Sequence, residues 1–179
     1  TVQLDASGNG SITASQIDNG SNDACGIASL SVSPDAFDCN DVGANTVTLT
    51  VTDVNGNESE ATATVTVEDN VVPVALAQDV TVQLDASGNA SITAADIDNG
   101  SNDACGIASL AVSSDAFECS NVGPNTVTLT VTDNNGNEST ADATVTVEDN
   151  VAPEALAQDI TVQLDASGNA SITAADIDN

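Results

Sequence analysis

The 179-residue chain contains 28 Asp and Glu residues and no Lys, Arg or His, which gives a formal net charge of −28 at pH 7. Without basic side chains to contact phosphates, we expect no binding to nucleic acid and no insertion into an anionic membrane. Dissolved cations are the available partners for the carboxylates. Hydrophobic residues make up 40% of the sequence, more than in disordered acidic chains, which predicts a folded protein with an aliphatic core.

A tandem repeat organises the chain, because the segment "TVQLDASGN" begins at positions 1, 81 and 161, a period of 80 residues. The third copy is too short to bury a core of its own, so we interpret the chain as a window from a longer array. Residues 1–80 are called repeat 1 and residues 81–160 repeat 2. The predicted domains are an immunoglobulin-like repeat at 1–70, a linker with first-strand entry at 71–80, a second repeat at 81–150, a second linker at 151–160 and a partial third repeat at 161–179.

Apolar residues and threonines alternate in "TVTLTVTD" and in "ATATVTVE", which is typical of half-buried strands. The Asn55-Gly56 dipeptide between them favours a tight turn and predicts that 46–52 and 60–67 pair antiparallel. "TVQLD" and "SITA", joined by "ASGN", predict another hairpin, and "TAAD" predicts a helical turn capped by Thr93. About seven short strands per repeat indicate tandem immunoglobulin-like β-sandwiches in an all-β protein.

Each repeat has two cysteines 14 positions apart. The simplest interpretation is one disulfide inside each repeat, Cys25–Cys39 and Cys105–Cys119, in a secreted protein. A zinc site is poorly supported, because the chain has no Cys-x-x-Cys pair and no His.

The acidic segment before each proline of the linkers is a candidate cation site. "VTVEDNVAP" resembles the linker of cadherin-type repeats, in which Asp and Asn after the last strand hold Ca²⁺ between consecutive domains. Carboxylate, carboxamide and carbonyl oxygens are the ligands that Ca²⁺ requires. The resemblance implies calcium binding by Glu68, Asp69, Asn70, Glu148, Asp149 and Asn150. The alternative is a solvated acidic linker stiffened by proline.

A second acidic cluster lies in "DIDNGSNDACG", next to the first cysteine of repeat 2. Gln16 stands in repeat 1 where repeat 2 has an Asp, so the candidate ligands differ between the copies. They are Asp18, Asp23, Asp96, Asp98 and Asp103. The alternative, a turn in which these side chains cap backbone amides, stays open here.

Two further segments are interpreted first as turns. "DASGNGSITASQ" has the Asp, Ser and Asn spacing of a calcium loop, but the second copy has Ala90 at the glycine position and the first ends in Gln16 instead of a bidentate carboxylate. A β-hairpin is therefore preferred. Asp53, Asn55 and Asn57 likewise indicate turn chemistry before metal binding.

Taken in order, "DNGSNDACGI", "FDC" or "FEC", "TVTLTVTD", "NGNES" and "EDN" resemble the HYR-like, immunoglobulin-type modules of very large surface adhesins of Bacteroidota, including the gliding-motility adhesins. The resemblance covers both complete repeats. It implies an extracellular, non-catalytic stalk or filament at the bacterial cell surface. Its expected partners are calcium ions, neighbouring repeats of the chain and other copies in a fibre.

Catalysis is not expected, because the chain lacks His, Lys, Arg and Tyr and offers only carboxylates and thiols as acid, base or nucleophile. The alternative function is a ligand-binding adhesive module for a carbohydrate or an ice surface. Carbohydrate binding lacks the usual Trp or Tyr stacking surface, and outward threonines are also ordinary strand residues. Near-identical adjacent repeats favour a spacer, because identical surfaces add length and avidity more readily than new specificity.

Overall fold

The computed structural model describes residues 1–178 and contains two similar β units in tandem. In repeat 1 the strands are β1 Val2–Gln3, β2 Asn9–Ser11, β3 Ile27–Ser33, β4 Ala36–Asp38, β5 Gly43–Asp53 and β6 Glu58–Glu68. The matching strands of the second unit are β7 Val80–Gln83, β8 Asn89–Ser91, β9 Ile107–Val112, β10 Ala116–Glu118, β11 Gly123–Asp133 and β12 Glu138–Glu148. Each unit thus has six strands where the sequence predicted about seven.

Two sheets enclose the core of each unit. The larger sheet of repeat 1 has the order β1-β6-β5-β3, and the smaller one pairs β2 with β4; repeat 2 repeats this arrangement. β1 pairs with β6 in parallel, and the other pairs are antiparallel. Phe37 of the smaller sheet packs in one apolar cluster with Val47 and Val65 of the larger sheet. The prediction of an all-β protein made of tandem sandwich-like repeats is therefore confirmed.

The long hairpin in the larger sheet forms as predicted. β5 pairs with β6 antiparallel, and Thr46 lies opposite Thr64. Val47 is fully buried and Val65 nearly so, because alternate residues of a strand face opposite sides of the sheet. Gly56 has a φ of +85° in the connecting turn, a conformation that glycine adopts without steric cost.

The second predicted hairpin is wrong. β1 and β2 belong to different sheets, although the Asp5 N–H donates to the Asn9 carbonyl at 2.9 Å. The Asp5 carboxylate accepts the N–H groups of Ser7 and Asn9, which closes a turn that carries the chain from one sheet to the other. β1 instead pairs with β6 at the edge of the larger sheet, and β2 pairs with β4 in the smaller one.

The helical segments are single turns, α1 Ala14–Ile17, α2 Ala94–Ile97 and α3 Ala174–Ile177. Thr93 is the N-cap residue of α2, as predicted, and its N–H donates to the Asp96 carboxylate at 2.7 Å. Two further turns, Cys39–Asp41 and Cys119–Asn121, are 3-10 helices. None of the helices in residues 1–178 has the length and apolar character needed to cross a membrane.

The linker 71–80 lies along repeat 2. Val74 forms a β-bridge with Asn102, and Ala77 forms one with Asp98. Ala77 packs against the core of repeat 2, where Ile97 is fully buried. The equivalent Ile17 of repeat 1 is only half-buried, since no such segment covers it among the described residues.

Candidate cation site at the repeat junction

The strands of the larger sheet give each repeat two distinct ends. We call the end at the β5–β6 turn, where β3 begins, the leading end, and the end where β5 begins and β6 finishes the trailing end. In repeat 1, Asp53 pairs with Ile27 at the leading end, and Gly43 pairs with Val67 at the trailing end. Cys25 comes just before β3, whereas Cys39 begins the 3-10 turn that precedes β5.

The within-repeat disulfides predicted from the cysteine spacing are not formed. The length of β5 separates the two ends by roughly 30 Å, at about 3.3 Å per residue, whereas a disulfide requires Cα atoms about 4.4–6.8 Å apart. The structure instead joins Cys39 to Cys105, with Cα atoms 5.1 Å apart. Cys25 and Cys119 are free and exposed. The bond therefore ties the trailing end of repeat 1 to the leading end of repeat 2.

Hydrogen bonds from repeat 2 complete this junction. The side-chain amide of Asn137 donates to the backbone carbonyls of Asp69 and Val71, both at 3.1 Å. The Ser139 hydroxyl donates to the Pro73 carbonyl at 2.6 Å. Both donors lie at the leading end of repeat 2, so the two repeats meet end to end.

Asp69 carries an unpartnered oxygen inside the junction. The residue is 6% exposed; its Oδ1 accepts the Val71 N–H at 3.0 Å, and its Oδ2 has no hydrogen-bond partner. Within residues 1–178, one group of three or more acidic or cysteine side chains has ligand atoms within 4.8 Å of one another, and it consists of Asp69, Asp103 and Cys105. A buried carboxylate without a partner is costly, so this oxygen marks a candidate cation site.

The residues on either side of the central Asp in each Glu-Asp-Asn triplet are hydrogen-bonded to a glutamine of their own repeat. Gln3 donates to the Glu68 carboxylate and accepts from the Asn70 side chain, both at 2.6 Å. Gln83 holds the equivalent pair of repeat 2, Glu148 and Asn150, in the same way. In each triplet the central Asp is thus the residue left for a partner. Asp149, the equivalent of Asp69, is exposed.

Most of the second acidic cluster performs turn chemistry. Asp18 accepts the N–H groups of Gly20 and Ser21, and Asp98 makes the equivalent bonds in repeat 2. Hydrogen bonds from Ser21 lower the pKa of Asp18, and those from Ser101 lower the pKa of Asp98. These two carboxylates stabilise loops and are absent from the Asp69 group.

The remaining members of that cluster are Asp96, Asp23 and Asp103, and they have different environments. Asp96 caps α2, and its bonds with Thr93 lower its pKa. Asp23 and Asp103 each accept the N–H of the following cysteine, at 2.7 and 2.8 Å. Only Asp103 is brought to the trailing end of another repeat.

The sequence did not predict that the β11–β12 turn, at the leading end of repeat 2, contacts repeat 1. Asp133 is 1% exposed and accepts the backbone N–H groups of Asn135 and Asn137 as well as the Asn137 side chain. Burial acts to raise the pKa of Asp133, but these hydrogen bonds outweigh it and leave the pKa below its ordinary value. The turn interpretation given to Asp53, its equivalent, holds for both repeats, but the turn also aims Asn137 at repeat 1.

The tandem copies provide an internal control for the junction. Asp69 is buried whereas Asp149 is exposed, and Asp133 is buried whereas Asp53 is half-buried. Each pair has the same residue type in the same local turn. End-to-end contact between the repeats therefore accounts for the difference in burial.

The strand order and the core define a tandem all-β protein built from sandwich-like units. No family model matches the chain, and no curated protein matches it. Among solved structures, the chain is similar to the fibronectin(III)-like modules of Clostridium thermocellum CbhA, with 14% sequence identity and a TM-score of 0.31. That match covers 83% of this chain and 94% of that chain. A likeness this loose carries no argument about function.

Proposed function

We propose that this chain is a non-catalytic, extracellular spacer from the stalk of a bacterial surface adhesin, and that Ca²⁺ stiffens the junction between its repeats. The observation that carries the proposal is the buried, unpartnered Oδ2 of Asp69 beside Asp103 of the next repeat. The chain has no Lys, Arg or His to neutralise these carboxylates. A cation from solution is therefore the natural partner.

The donor set favours a hard cation. The sulfur of Cys105 is in a disulfide and is not a thiolate, which leaves carboxylate oxygens as the charged ligands. Ca²⁺ takes six to eight oxygen ligands and completes its shell with carbonyls and water. Asp69 and Asp103 would hold it, one from each repeat.

Calcium at this position has a mechanical consequence. An ion that binds both repeats is bound only when their ends are in contact, so its binding free energy favours the aligned arrangement. Without the ion, the two carboxylates repel each other across the junction. Calcium thus reduces bending between consecutive repeats and makes the chain stiffer.

Several features support an extracellular stalk. The disulfide is typical of proteins in an oxidising compartment, and end-to-end contact between near-identical repeats adds length. The motif order resembles that of the Bacteroidota adhesin modules described above. An ice-binding surface is less favoured, because Asp142 interrupts the threonine row of β12 and accepts a hydrogen bond from Thr128 at 2.7 Å.

Calorimetric titration with CaCl₂ tests the proposal on the whole oxidised chain. We expect saturable binding that Asp69→Asn weakens at least tenfold. The matched control is Asp149→Asn, which makes the same change at an exposed site and should leave that binding event unchanged. Equal binding by both variants would show that the bound calcium lies elsewhere than the junction.

A further inference from the structure

The disulfide at the junction links positions that hold cysteine in both complete repeats. Cys105 occupies in repeat 2 the position that Cys25 occupies in repeat 1, and Cys119 occupies the position of Cys39. The observed bond therefore joins the second cysteine of one repeat to the first cysteine of the next. Cys119 and Cys25 are the corresponding cysteines at the two outer ends, and both are free.

Cys119, at the trailing end of repeat 2, makes the same backbone contact as Cys39 makes in repeat 1. The Sγ atoms of Cys39 and Cys119 lie 3.8 Å from the carbonyls of Gly8 and Gly88, respectively. A Cβ on either glycine would lie 2.6 or 2.5 Å from the facing sulfur, and both glycines have positive φ, +74° and +77°. Each glycine thus leaves the space that the sulfur occupies.

The two cysteines and their facing glycines differ in burial. Cys39 is half-buried and Gly8 is buried, whereas Cys119 is exposed and Gly88 is half-buried. An open cavity at this end is lined by Cys119, Gly88 and Asp149. In repeat 1, the equivalents of these residues contact the leading end of repeat 2.

The leading end of repeat 1 presents the complementary surface. The Cys25 N–H donates to Asp23, and the Cys105 N–H donates to Asp103. The two cysteines therefore lie in equivalent turns of the two repeats. A second open cavity is lined by Asp23, Asp53 and Asn57. Asn137, the counterpart of Asn57, is the residue that donates across the existing junction.

We propose that Cys119 and Cys25 are the open halves of a disulfide that recurs at every repeat junction, and that the occupant of each outer end is another repeat of this kind. The inference rests on the end-to-end stacking of the proposed stalk but does not require calcium. Because the contact joins unlike ends, the same contact is able to repeat from each copy to the next. Each repeat is then tied to the next by the backbone and by one disulfide.

The bond forms by thiol–disulfide exchange. A small-molecule disulfide such as oxidised glutathione first caps one cysteine, and the thiolate of the other cysteine then attacks the capped sulfur. The S–S bond forms between the repeats, two glutathione thiols are released, and the two protein thiols lose two protons and two electrons. Oxidised glutathione accepts the electrons.

The test uses the chain as it is and a longer chain in which residues 81–160 are duplicated once in tandem. Both are refolded with chelator present in a glutathione redox buffer that contains oxidised glutathione and an excess of reduced glutathione, so that cysteines without a protein partner return to thiols. Their thiols are counted by alkylation and mapped by mass spectrometry. We expect Cys39–Cys105 in both chains. In the longer chain we also expect Cys119 joined to the first cysteine of the added copy. Two alkylatable thiols should remain in each chain.

Within-repeat pairing would leave no thiols in either chain and would overturn the proposal. So would an alkylatable Cys119 in a longer chain that forms Cys39–Cys105. Replacing Cys119→Ser in the longer chain should raise the thiol count from two to three, whereas Cys25→Ser should lower it to one. Because the mapping is done without calcium, its failure is distinguishable from failure of the calcium site, which the titration reports separately.

Discussion

The side-chain amide of Asn137 donates to the backbone carbonyl of Asp69, 68 positions earlier, and at the same time to the carboxylate of Asp133 in its own turn. One side chain therefore connects the β11–β12 turn of repeat 2 to the linker that follows β6. Because Asp133 fixes the turn, Asn137 is oriented before the repeats meet. Pre-orientation of this kind lowers the entropy lost when the junction forms.

Asn137→Ala should destabilise the junction, and Asn57→Ala is the matched control. Both substitutions remove a side-chain bond to the preceding Asp of the turn, but only Asn137 also donates to the carbonyls of repeat 1. Leaving buried carbonyls unpaired costs about 1–3 kcal/mol. Chemical denaturation should show an excess loss of that size for Asn137→Ala, and equal losses would mean that water replaces the cross-junction bonds.

Cys39→Ser removes the disulfide, whose partners are 66 positions apart in sequence. Loss of a cross-link that closes a loop of this length costs about 4 kcal/mol in the chain-entropy model. Cys119→Ser, which removes a free and exposed cysteine, should change the free energy of unfolding by less than about 0.5 kcal/mol. Denaturant titration of the two oxidised variants measures this difference, and comparable stabilities would contradict the assigned bond.

Local patterns in the sequence predict much of the fold. The alternation around Val47 and Val65 and the Asn55-Gly56 turn identify the long hairpin, because these signals lie within a few residues of the contacts they predict. The Asp5–Asn9 turn is harder, since the same turn chemistry serves a hairpin or a change of sheet. Which one forms depends on the pairing of β1 with β6, a contact between distant parts of the sequence.

The candidate site could be predicted only in part for a related reason. The linker motif identifies Asp69 as a candidate, and the structure buries that residue at the junction. Composition does not show that Gln3 binds its neighbours Glu68 and Asn70. Equal cysteine spacing fits pairing within repeats as well as between them. Pairing within a repeat is excluded by the length of β5, which separates the two cysteines. That distance is known only once the structure shows which end of the repeat holds each cysteine.

Acidification should remove the contribution of the Asp133 carboxylate. Its pKa is lowered in the folded state, so the unfolded chain binds more protons at low pH. The contribution is then fully present above the unfolded value of about 3.9 and is lost as the pH falls through the lower folded pKa. Asp133→Asn should cost on the order of 1 kcal/mol at pH 7.

The loss of stability caused by Asp133→Asn should shrink toward zero as the pH is lowered. Urea titrations of the original chain and of the variant from pH 7 to pH 2.5 measure this loss. Asp53→Asn is a useful comparison, because hydrogen bonds from Asn57 also lower the pKa of Asp53, although Asp53 is only half-buried. A cost that stays constant with pH would show that the carboxylate charge of Asp133 does not contribute.

Calcium should stiffen the junction most visibly when the disulfide is absent. In Cys39→Ser the backbone linker and the hydrogen bonds alone hold the repeats, so repulsion between Asp69 and Asp103 is free to open the contact in chelator. At a calcium concentration about 100 times the Kd, binding adds about 2.7 kcal/mol to stability. We expect a larger maximum dimension by small-angle scattering and a higher Tm in calcium than in chelator, with a smaller change in the disulfide-bonded chain.

Adding Asp69→Asn to Cys39→Ser should abolish both changes, and adding Asp149→Asn should preserve them. If scattering and melting of Cys39→Ser are the same in the two buffers at matched ionic strength, the junction is a solvated acidic linker and calcium has no structural part in it.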